Sequence, residues 1–381
     1  MVTLQTYLLY TLLFLIMFFL SKRASDKGEW FWMVLAILIY SIVFGMRYGV
    51  GVDHLAYLDG YKQLFLVGFD NPYDDTEVGY RFIMKSLVRG GFHFAFYFGL
   101  IAFLQLWLVF KAVKKDRFVY PYLVTAFFLG CIWLSYSNGL RQWLAFAIFA
   151  YSLLFVENKK QLPIHWLLLL LATTMHNSAW LLFAIAPLLY FRADWFRNIK
   201  TQYILLVVAI IVGKLPQIGG WLMSFEGNMG VLEGFMEETG YDDYFENDDG
   251  EGIVRSGAKT AGVGYFVELA NNIMLVWFCN KTKEFNANNR VVTYMYNLTY
   301  LGILGRYVFA MSPVLARINY YFYGFAYIFG AYTLHYLYNN NRKAFWILLG
   351  LYTLTFVGTM FRMYDNTSAF YFFWQSGLYG K

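Results

Sequence analysis

The chain has 381 residues, of which 59% are hydrophobic and only 14% are charged. Soluble domains carry about 25% charged residues, so this composition excludes an ordinary soluble fold. The net charge of +6 comes from basic residues spread over short loops, a pattern that encodes membrane orientation, and nucleic acid is therefore not an expected partner.

Apolar runs long enough to cross about 30 Å of hydrocarbon recur along the chain, which predicts an all-α, polytopic membrane protein. The sequence shows no separate soluble domain, so residues 1–381 are predicted to form a single transmembrane domain. The predicted helices are 4–20, 30–46, 92–113, 118–135, 140–156, a pair within 163–191, 201–222, 263–280, 291–311, 314–337 and 344–361. With the pair counted as a short-helix hairpin, this gives about 12 segments.

Lysine and arginine residues in the connections predict the orientation of these helices. Short basic connections are assigned to the cytoplasm, which leaves 47–91 and 223–262 on the outer side. The second stretch is rich in acidic residues and is predicted to be a solvated loop. Within 47–91, the apolar spacing of 53–67 and 78–88 predicts two amphipathic helices at the outer interface. The polar chemistry is thus expected on the periplasmic side of the inner membrane.

The region 163–191 is flanked by basic residues at both ends, which a single crossing would place on opposite sides. Two short helices that meet at an apex near His176 resolve this conflict. Irregular backbone at membrane depth is tolerated only where protein or a water-filled cavity satisfies its polar groups. His176 is therefore a candidate site residue, and a hydrogen-bonded core histidine is the alternative.

Four arginines lie at or near the outer ends of predicted helices. Arg141 begins a helix, where its charge opposes the positive end of the helix dipole unless an anion lies nearby. Arg47 precedes a glycine-rich turn that lets the backbone approach a ligand. The alternative is that the Arg47 side chain only extends its charge to the membrane interface. Arg306 and Arg317 also need a partner, a water-filled cavity or an anionic ligand, because arginine stays charged in proteins.

Arginine binds phosphate oxygens through two parallel hydrogen bonds. Several arginines at the outer face therefore predict a receptor for a lipid diphosphate, whose apolar tail would lie in the bilayer.

Two carboxylates in the same outer stretch are candidate catalytic or substrate-binding groups. Asp53 opens the first amphipathic helix and is equally suited to capping it. Glu77 lies four residues before Arg81, so a helix-surface ion pair is the alternative. The rings of Tyr57 and Tyr80 either stack on sugars or belong to an aromatic belt, which is the more frequent case. No His, Cys and carboxylate cluster in the sequence has metal-ligand spacing, so neither a metal nor a cofactor is expected.

In these motifs the chain resembles the EpsG family of exopolysaccharide proteins, relatives of the Wzy-type O-antigen and capsular polysaccharide polymerases. The matching residues are Arg47, Gly49, Gly51, Asp53 and Tyr57, then Glu77-Val78-Gly79-Tyr80, Asn138-Gly139-Leu140-Arg141-Gln142, and Ala172 with His176-Asn177-Ser178-Ala179. Beyond residue 200 the likeness rests mainly on the Arg317 helix, and no role is carried over to 362–381.

The resemblance implies a metal-independent membrane glycosyltransferase, which transfers a growing glycan from its polyprenyl-diphosphate carrier to a lipid-linked repeat unit. The implied roles are diphosphate binding by Arg47, Arg141, Arg306 and Arg317, general-base catalysis by Asp53 with Glu77 or His176 as alternatives, and sugar binding by Tyr57, Tyr80, Asn138 and Gln142. The expected partners are the lipid-linked oligosaccharide, the bilayer, a chain-length regulator and a flippase. Three other functions stay open: a flippase or transporter of the lipid-linked oligosaccharide, a membrane ligase or acyltransferase, and a non-enzymatic scaffold.

Overall fold

The computed structural model describes residues 2–51, 53–67, 76–191, 194–228, 262–362 and 369–375. The contacts within the chain divide it into two compact units. The first unit comprises Met1–Ile185 with Leu337–Lys381, and the second comprises Ala186–Tyr336. Residues 229–261 of the predicted acidic loop, and 68–75 between the predicted amphipathic helices, lie outside the described residues.

The described part of the chain is almost entirely helical. Its helices are α1 (Val2–Lys27), α2 (Trp30–Gly45), α3 (His54–Val67), α4 (Val78–Arg89), α5 (Phe94–Ala112), α6 (Tyr120–Leu129), α7 (Ile132–Asn138), α8 (Leu140–Ser152), α9 (Leu162–Met175), α10 (Leu181–Leu189), α11 (Ile199–Gly213), α12 (Pro216–Asn228), α13 (Val263–Phe285), α14 (Arg290–Val308), α15 (Pro313–Ile318), α16 (Tyr320–Tyr323), α17 (Phe325–Asn340) and α18 (Arg342–Arg362). Two short strands, β1 (Arg47–Tyr48) and β2 (Tyr371–Phe372), pair in antiparallel orientation.

Within the described ranges, three helices are long and apolar enough to cross a membrane alone: Leu4–Lys27, Phe94–Ala112 and Arg342–Phe361. The number rises to five if α6 with α7, and α11 with α12, each form one bent span. The chain is therefore a multi-pass helical membrane protein, as predicted, whereas the count of about 12 spans stays a prediction.

Several predicted helices are broken in the structure. The predicted helix 118–135 bends by 70° between α6 and α7, where Cys131 has a φ of +56°. The predicted helix 201–222 bends by 79° before Pro216, because proline offers no backbone N–H and disfavours a helical residue before it. The predicted helix 314–337 is divided into α15, α16 and α17.

The two predicted amphipathic helices are confirmed as helices, α3 and α4. On α4 the buried side chains Tyr80, Met84, Leu87 and Val88 follow the helical repeat, while Phe82 lies exposed on the other face. The location of both helices at the outer interface stays a prediction.

Close packing of α2 against α5 fixes the end of α2. A methyl group on Gly99 would lie 3.0 Å from the Ser41 carbonyl oxygen, so only glycine lets the two backbones approach this closely. Helix α5 also packs against α8, and α8 packs against α9. This arrangement brings the turn after α2, the start of α8 and the end of α9 into one region of the first unit.

The last described residues return to the turn after α2. Strand β2 pairs with β1, so that Arg47 faces Phe372, and the Phe373 amide donates to the Met46 carbonyl at 3.0 Å. Phe370 is fully buried against Tyr10 and Phe44. This return, here called the C-terminal strap (Ala369–Gln375), was not predicted from the sequence.

Candidate functional site

A buried ion pair joins the segment before α4 to the start of α8. The Arg141 guanidinium donates from Nη1 to Glu77 Oε2 at 2.6 Å, and the two side chains are 19% and 2% exposed. The anion expected beside Arg141 is thus supplied by the protein itself. The alternative in which Glu77 pairs only with Arg81 is wrong, because Glu77 reaches across to another helix.

The break after α9 supplies the second group that holds Glu77. Its Oε1 accepts a hydrogen bond from the Asn177 amide at 3.0 Å, and His176 Nδ1 lies 3.6 Å from the same oxygen. Gly79 allows this approach, since a methyl group there would lie 2.6 Å from Met175 Cε. The predicted apex near His176 therefore exists as a helix break, where the Asn177 backbone amide binds the Glu77 carboxylate.

His176 has extended backbone angles and caps the short 3-10 helix Asn177–Trp180. Its Nδ1 accepts from the Ser178 amide at 3.2 Å. A ring nitrogen that accepts from an amide carries no proton, so the neutral ring has its hydrogen on Nε2. In that neutral form His176 can donate a hydrogen bond from Nε2.

Two tyrosines of the predicted set lie beside Arg141. The Arg141 guanidinium carbon is 6.0 Å from the Tyr57 ring centroid, and the Tyr57 and Tyr80 rings are 6.3 Å apart. Burial raises the pKa of Tyr57 above its usual range, although the Arg141 charge opposes this rise. Burial raises the pKa of Tyr80 as well. Both phenols therefore stay protonated at neutral pH.

Asp53 is placed by a reciprocal contact with Asn138. The Asp53 amide donates to Asn138 Oδ1 at 2.9 Å, and Asn138 Nδ2 donates to Asp53 Oδ2 at 3.2 Å. Gly51 has a φ of +96°, and a methyl group on it would lie 3.1 Å from Asn138 Oδ1. Because both the backbone angle and the space require glycine, Gly51 fixes Asp53 against the turn before α8.

Arg47 is fully buried, unlike a ligand-facing side chain. Its Nη1 donates to the Phe44 carbonyl at 2.7 Å and its Nη2 to the Ser137 carbonyl at 3.0 Å, while its carbon lies 4.8 Å from the Phe98 ring centroid. Burial lowers the pKa of Arg47 to about 10, which leaves it cationic at neutral pH. This placement favours a role in holding the turn before α8 over direct contact with a diphosphate.

The turn before α8 also depends on a buried amide that the sequence did not single out. Gln105 on α5 donates from Nε2 to the Tyr136 and Leu140 carbonyls, at 3.4 and 3.0 Å. Gln142, a predicted sugar ligand, is buried one residue after Arg141. The turn is therefore fixed from several sides by side-chain hydrogen bonds.

His54 is a further buried group that sequence reasoning missed. It stacks on Phe98 with centroids 4.6 Å apart, and among the described residues neither ring nitrogen has a hydrogen-bond partner. Burial lowers the pKa of His54 to about 3, and the Arg47 charge adds to the effect. The neutral form of His54 is thus part of the folded state.

The other two predicted arginines belong to the second unit. Arg306 donates from Nε and Nη2 to the two oxygens of Glu268, at 2.5 and 3.0 Å, so its partner is a carboxylate that was not predicted. The Tyr323 hydroxyl lies 3.2 Å from Glu268 Oε1. Arg317 lies on α15 and is partly exposed.

The cluster in the first unit combines a cation, two carboxylates, an imidazole and phenols. Arg141 can bind an anion if its guanidinium is shared between that anion and Glu77. Asp53 can accept a proton, and Tyr57 can donate a hydrogen bond. These are the groups needed for transfer reactions that expel a negatively charged leaving group.

The model of the EpsG family matches residues 30–375, which is nearly the whole chain. No curated protein and no solved structure matches the sequence.

Proposed function

The chain belongs to the EpsG family, a family of Wzy-like polymerases, and from that premise we propose that it polymerises lipid-linked oligosaccharides at the periplasmic face of the inner membrane. The observation that carries the proposal is the Glu77–Arg141 ion pair at the broken end of α9. It places a partly accessible guanidinium beside carboxylates, a histidine and tyrosines.

The proposed reaction is a glycosyl transfer between two polyprenyl-diphosphate-linked glycans. The bond between the anomeric carbon of the growing chain and its diphosphate breaks, and the electron pair leaves with the diphosphate. A hydroxyl of the incoming repeat unit forms the new bond to the anomeric carbon, and its proton passes to a general base. The diphosphate takes on negative charge as it leaves, so a positioned guanidinium lowers the barrier.

Arg141 is the proposed ligand of the leaving diphosphate. In the resting state its charge is balanced by Glu77, and two parallel hydrogen bonds to phosphate oxygens could replace or share that contact. The carboxylate of Glu77 is held by both Arg141 and the Asn177 amide, which favours a positioning role for it.

Asp53 is the proposed general base. His176 Nδ1 already accepts from the Ser178 amide, so Asp53 is the more available acceptor for a substrate proton. Asp53 is partly exposed and is fixed by Asn138 within the same cluster. Tyr57 and Tyr80, with Asn138 and Gln142, remain the proposed sugar contacts. Arg306 and Arg317 remain proposed diphosphate ligands.

The test is Arg141→Ala in the native host, with surface glycan resolved by gel. Loss of one charge stabiliser lowers a transfer rate about 10²–10³-fold, so long chains should vanish while a single repeat unit remains. Arg89→Ala is the matched control, because Arg89 is an exposed arginine at the end of α4, and its glycan should keep the normal length distribution.

Other outcomes identify other functions. Complete loss of surface glycan with lipid-linked units trapped inside would indicate a flippase, and normal polymer that is not attached to its acceptor would indicate a ligase. Purified protein supplied with lipid-linked repeat units, without ATP or added metal, should form polymer. Failure of the wild-type protein to do so under these conditions would contradict the enzymatic proposal.

A further inference from the structure

A groove lies beside the second half of α3. It is lined by Tyr61, Phe65 and Leu66 of α3 and by Phe92 and Phe94 at the start of α5, and its volume is about 430 Å³. The apolar lining indicates a hydrocarbon occupant.

The groove lies at the edge of a membrane-capable helix. Helix α5 begins at Phe94, and the apolar side chains beside that start are exposed, with Leu66 at 84% and Phe65 at 56%. Such a continuous apolar surface at a span boundary is stable against lipid and unfavourable in water. Lys62 and His93 also line the groove, and Lys62 is exposed.

One face of α3 runs from the polar cluster to this groove. Tyr57, Tyr61 and Phe65 are spaced by four residues and therefore lie on the same side of the helix. Tyr57 lies beside Arg141, whereas Tyr61 and Phe65 line the groove. At 1.5 Å per residue, the distance along the axis from Tyr57 to Phe65 is about 12 Å.

Aromatic contacts join the two places without interruption. Tyr57 lies against Tyr80, the Tyr80 and Tyr97 hydroxyls share a hydrogen bond, and Tyr97 stacks on Tyr61 with centroids 4.8 Å apart. The Tyr61 hydroxyl donates to the Phe92 carbonyl at 2.8 Å, which holds the two walls of the groove together. The groove and the ion pair thus belong to one packed body.

We propose that this groove binds the isoprenoid chain of a polyprenyl phosphate whose phosphorylated head group lies at Arg141. The inference rests on the proposed function and adds the position of the substrate's tail. A polyprenyl phosphate has one hydrocarbon chain and one phosphorylated head, which matches an apolar groove on the same side of α3 as Tyr57, whose ring centroid lies 6.0 Å from the Arg141 guanidinium carbon.

The test is photolabelling of the purified full-length protein in lipid nanodiscs. The probe is a polyprenyl monophosphate with a diazirine on the third isoprene unit from the head group, because the groove lies beyond Tyr57 along α3, and labelled peptides are mapped by mass spectrometry. Label is expected within 61–66 and 92–94. Leu66→Asp, which changes an exposed side chain, should reduce that label about tenfold.

Phe82→Asp is the matched control, because it places the same carboxylate on an exposed apolar position of α4 outside the groove. Its labelling should equal that of the wild type. Phe65→Ala, which adds no charge, should also reduce the label, and thermal unfolding of each variant checks that the fold is retained.

Label located elsewhere, or unchanged in Leu66→Asp and Phe65→Ala, would overturn the proposal. Equal labelling of the groove by a phosphatidylglycerol that carries the same diazirine would show ordinary bilayer contact only and would overturn it too. These results do not depend on turnover. If labelling behaves as expected but lipid-linked repeat units are not polymerised, the polymerase proposal fails and the groove stands as a lipid site.

Discussion

The ion pair between Glu77 and Arg141 gives the sharpest test of the candidate site. Glu77→Gln keeps the shape of the side chain and an oxygen for the Asn177 amide, but it removes the charge that Arg141 contacts at 2.6 Å. A hydrogen bond to a charged group contributes about 1.5–3 kcal/mol and a neutral one about 0.5–1.5. We therefore expect Glu77→Gln to lower the free energy of unfolding by about 1–2 kcal/mol.

Glu77→Ala should cost more, because it leaves a buried cation and a buried amide without their acceptor. Removal of one partner from a buried pair costs about 3–5 kcal/mol, and the 19% exposure of Arg141 places the expected loss at the lower end. The free energies can be measured by denaturant titration of the purified protein in mixed micelles, followed by tryptophan fluorescence.

A double-mutant cycle separates the pair from the rest of the site. Glu77→Gln combined with Arg141→Met should be less destabilising than the sum of the single changes by about 1–3 kcal/mol. Arg89→Met, at an exposed arginine of α4, is the control. Its loss of unfolding free energy and that of Glu77→Gln should sum to the loss in the double variant within about 0.5 kcal/mol. Additivity of Glu77→Gln with Arg141→Met would refute the coupling that the structure shows.

Three further predictions concern other parts of the chain. Gly51→Ala should lower the free energy of unfolding by about 1–2 kcal/mol, which is measured as a lower unfolding midpoint. The φ of Gly51 is +96°, and the added methyl group would press on Asn138. The depressed pKa of His54, about 3 in the folded state against 6.5 unfolded, means that the unfolded chain binds more protons below pH 6.5. The free energy of unfolding should therefore fall as the pH drops, by about 2 kcal/mol at pH 5. Thermal unfolding at pH 7.5 and pH 5 measures this loss, which should be smaller in His54→Phe than in the wild type. Arg306→Lys should cost about 1 kcal/mol in denaturant titration, since lysine cannot make both hydrogen bonds to Glu268, and an unchanged midpoint would contradict the bidentate contact.

The sequence predicted features whose cause is local. The break at His176 was predicted because basic residues flank the region 163–191 at both ends, and a single crossing would place them on opposite sides. Arg141 was singled out because a cation at a helix start needs an anion, and the structure supplies Glu77. Its partner could not be chosen from the sequence, since 64 residues separate the two and nothing local links them.

Other features depend on tertiary packing and escaped prediction. The burial of Arg47 was not predicted, because packing of α2 against α5 is what directs its donors to backbone carbonyls, and its role in diphosphate binding stays a proposal. Glu268 lies in an apolar run, and only the position of Arg306 on α14 makes it an ion-pair partner. The bends at Cys131 and before Pro216 change the path of helices that hydrophobic periodicity alone predicts to be continuous.

The C-terminal strap has a consequence for how the protein is made. The Phe370 amide donates to the Thr6 hydroxyl across a separation of 364 residues, and β2 holds the turn that carries Arg47. The contact with Thr6 cannot form until residue 370 has been synthesised, so α1 and the Arg47 turn are joined to the strap late relative to their own synthesis. Until then the Arg47 turn lacks the pairing with β2 that it has in the folded protein.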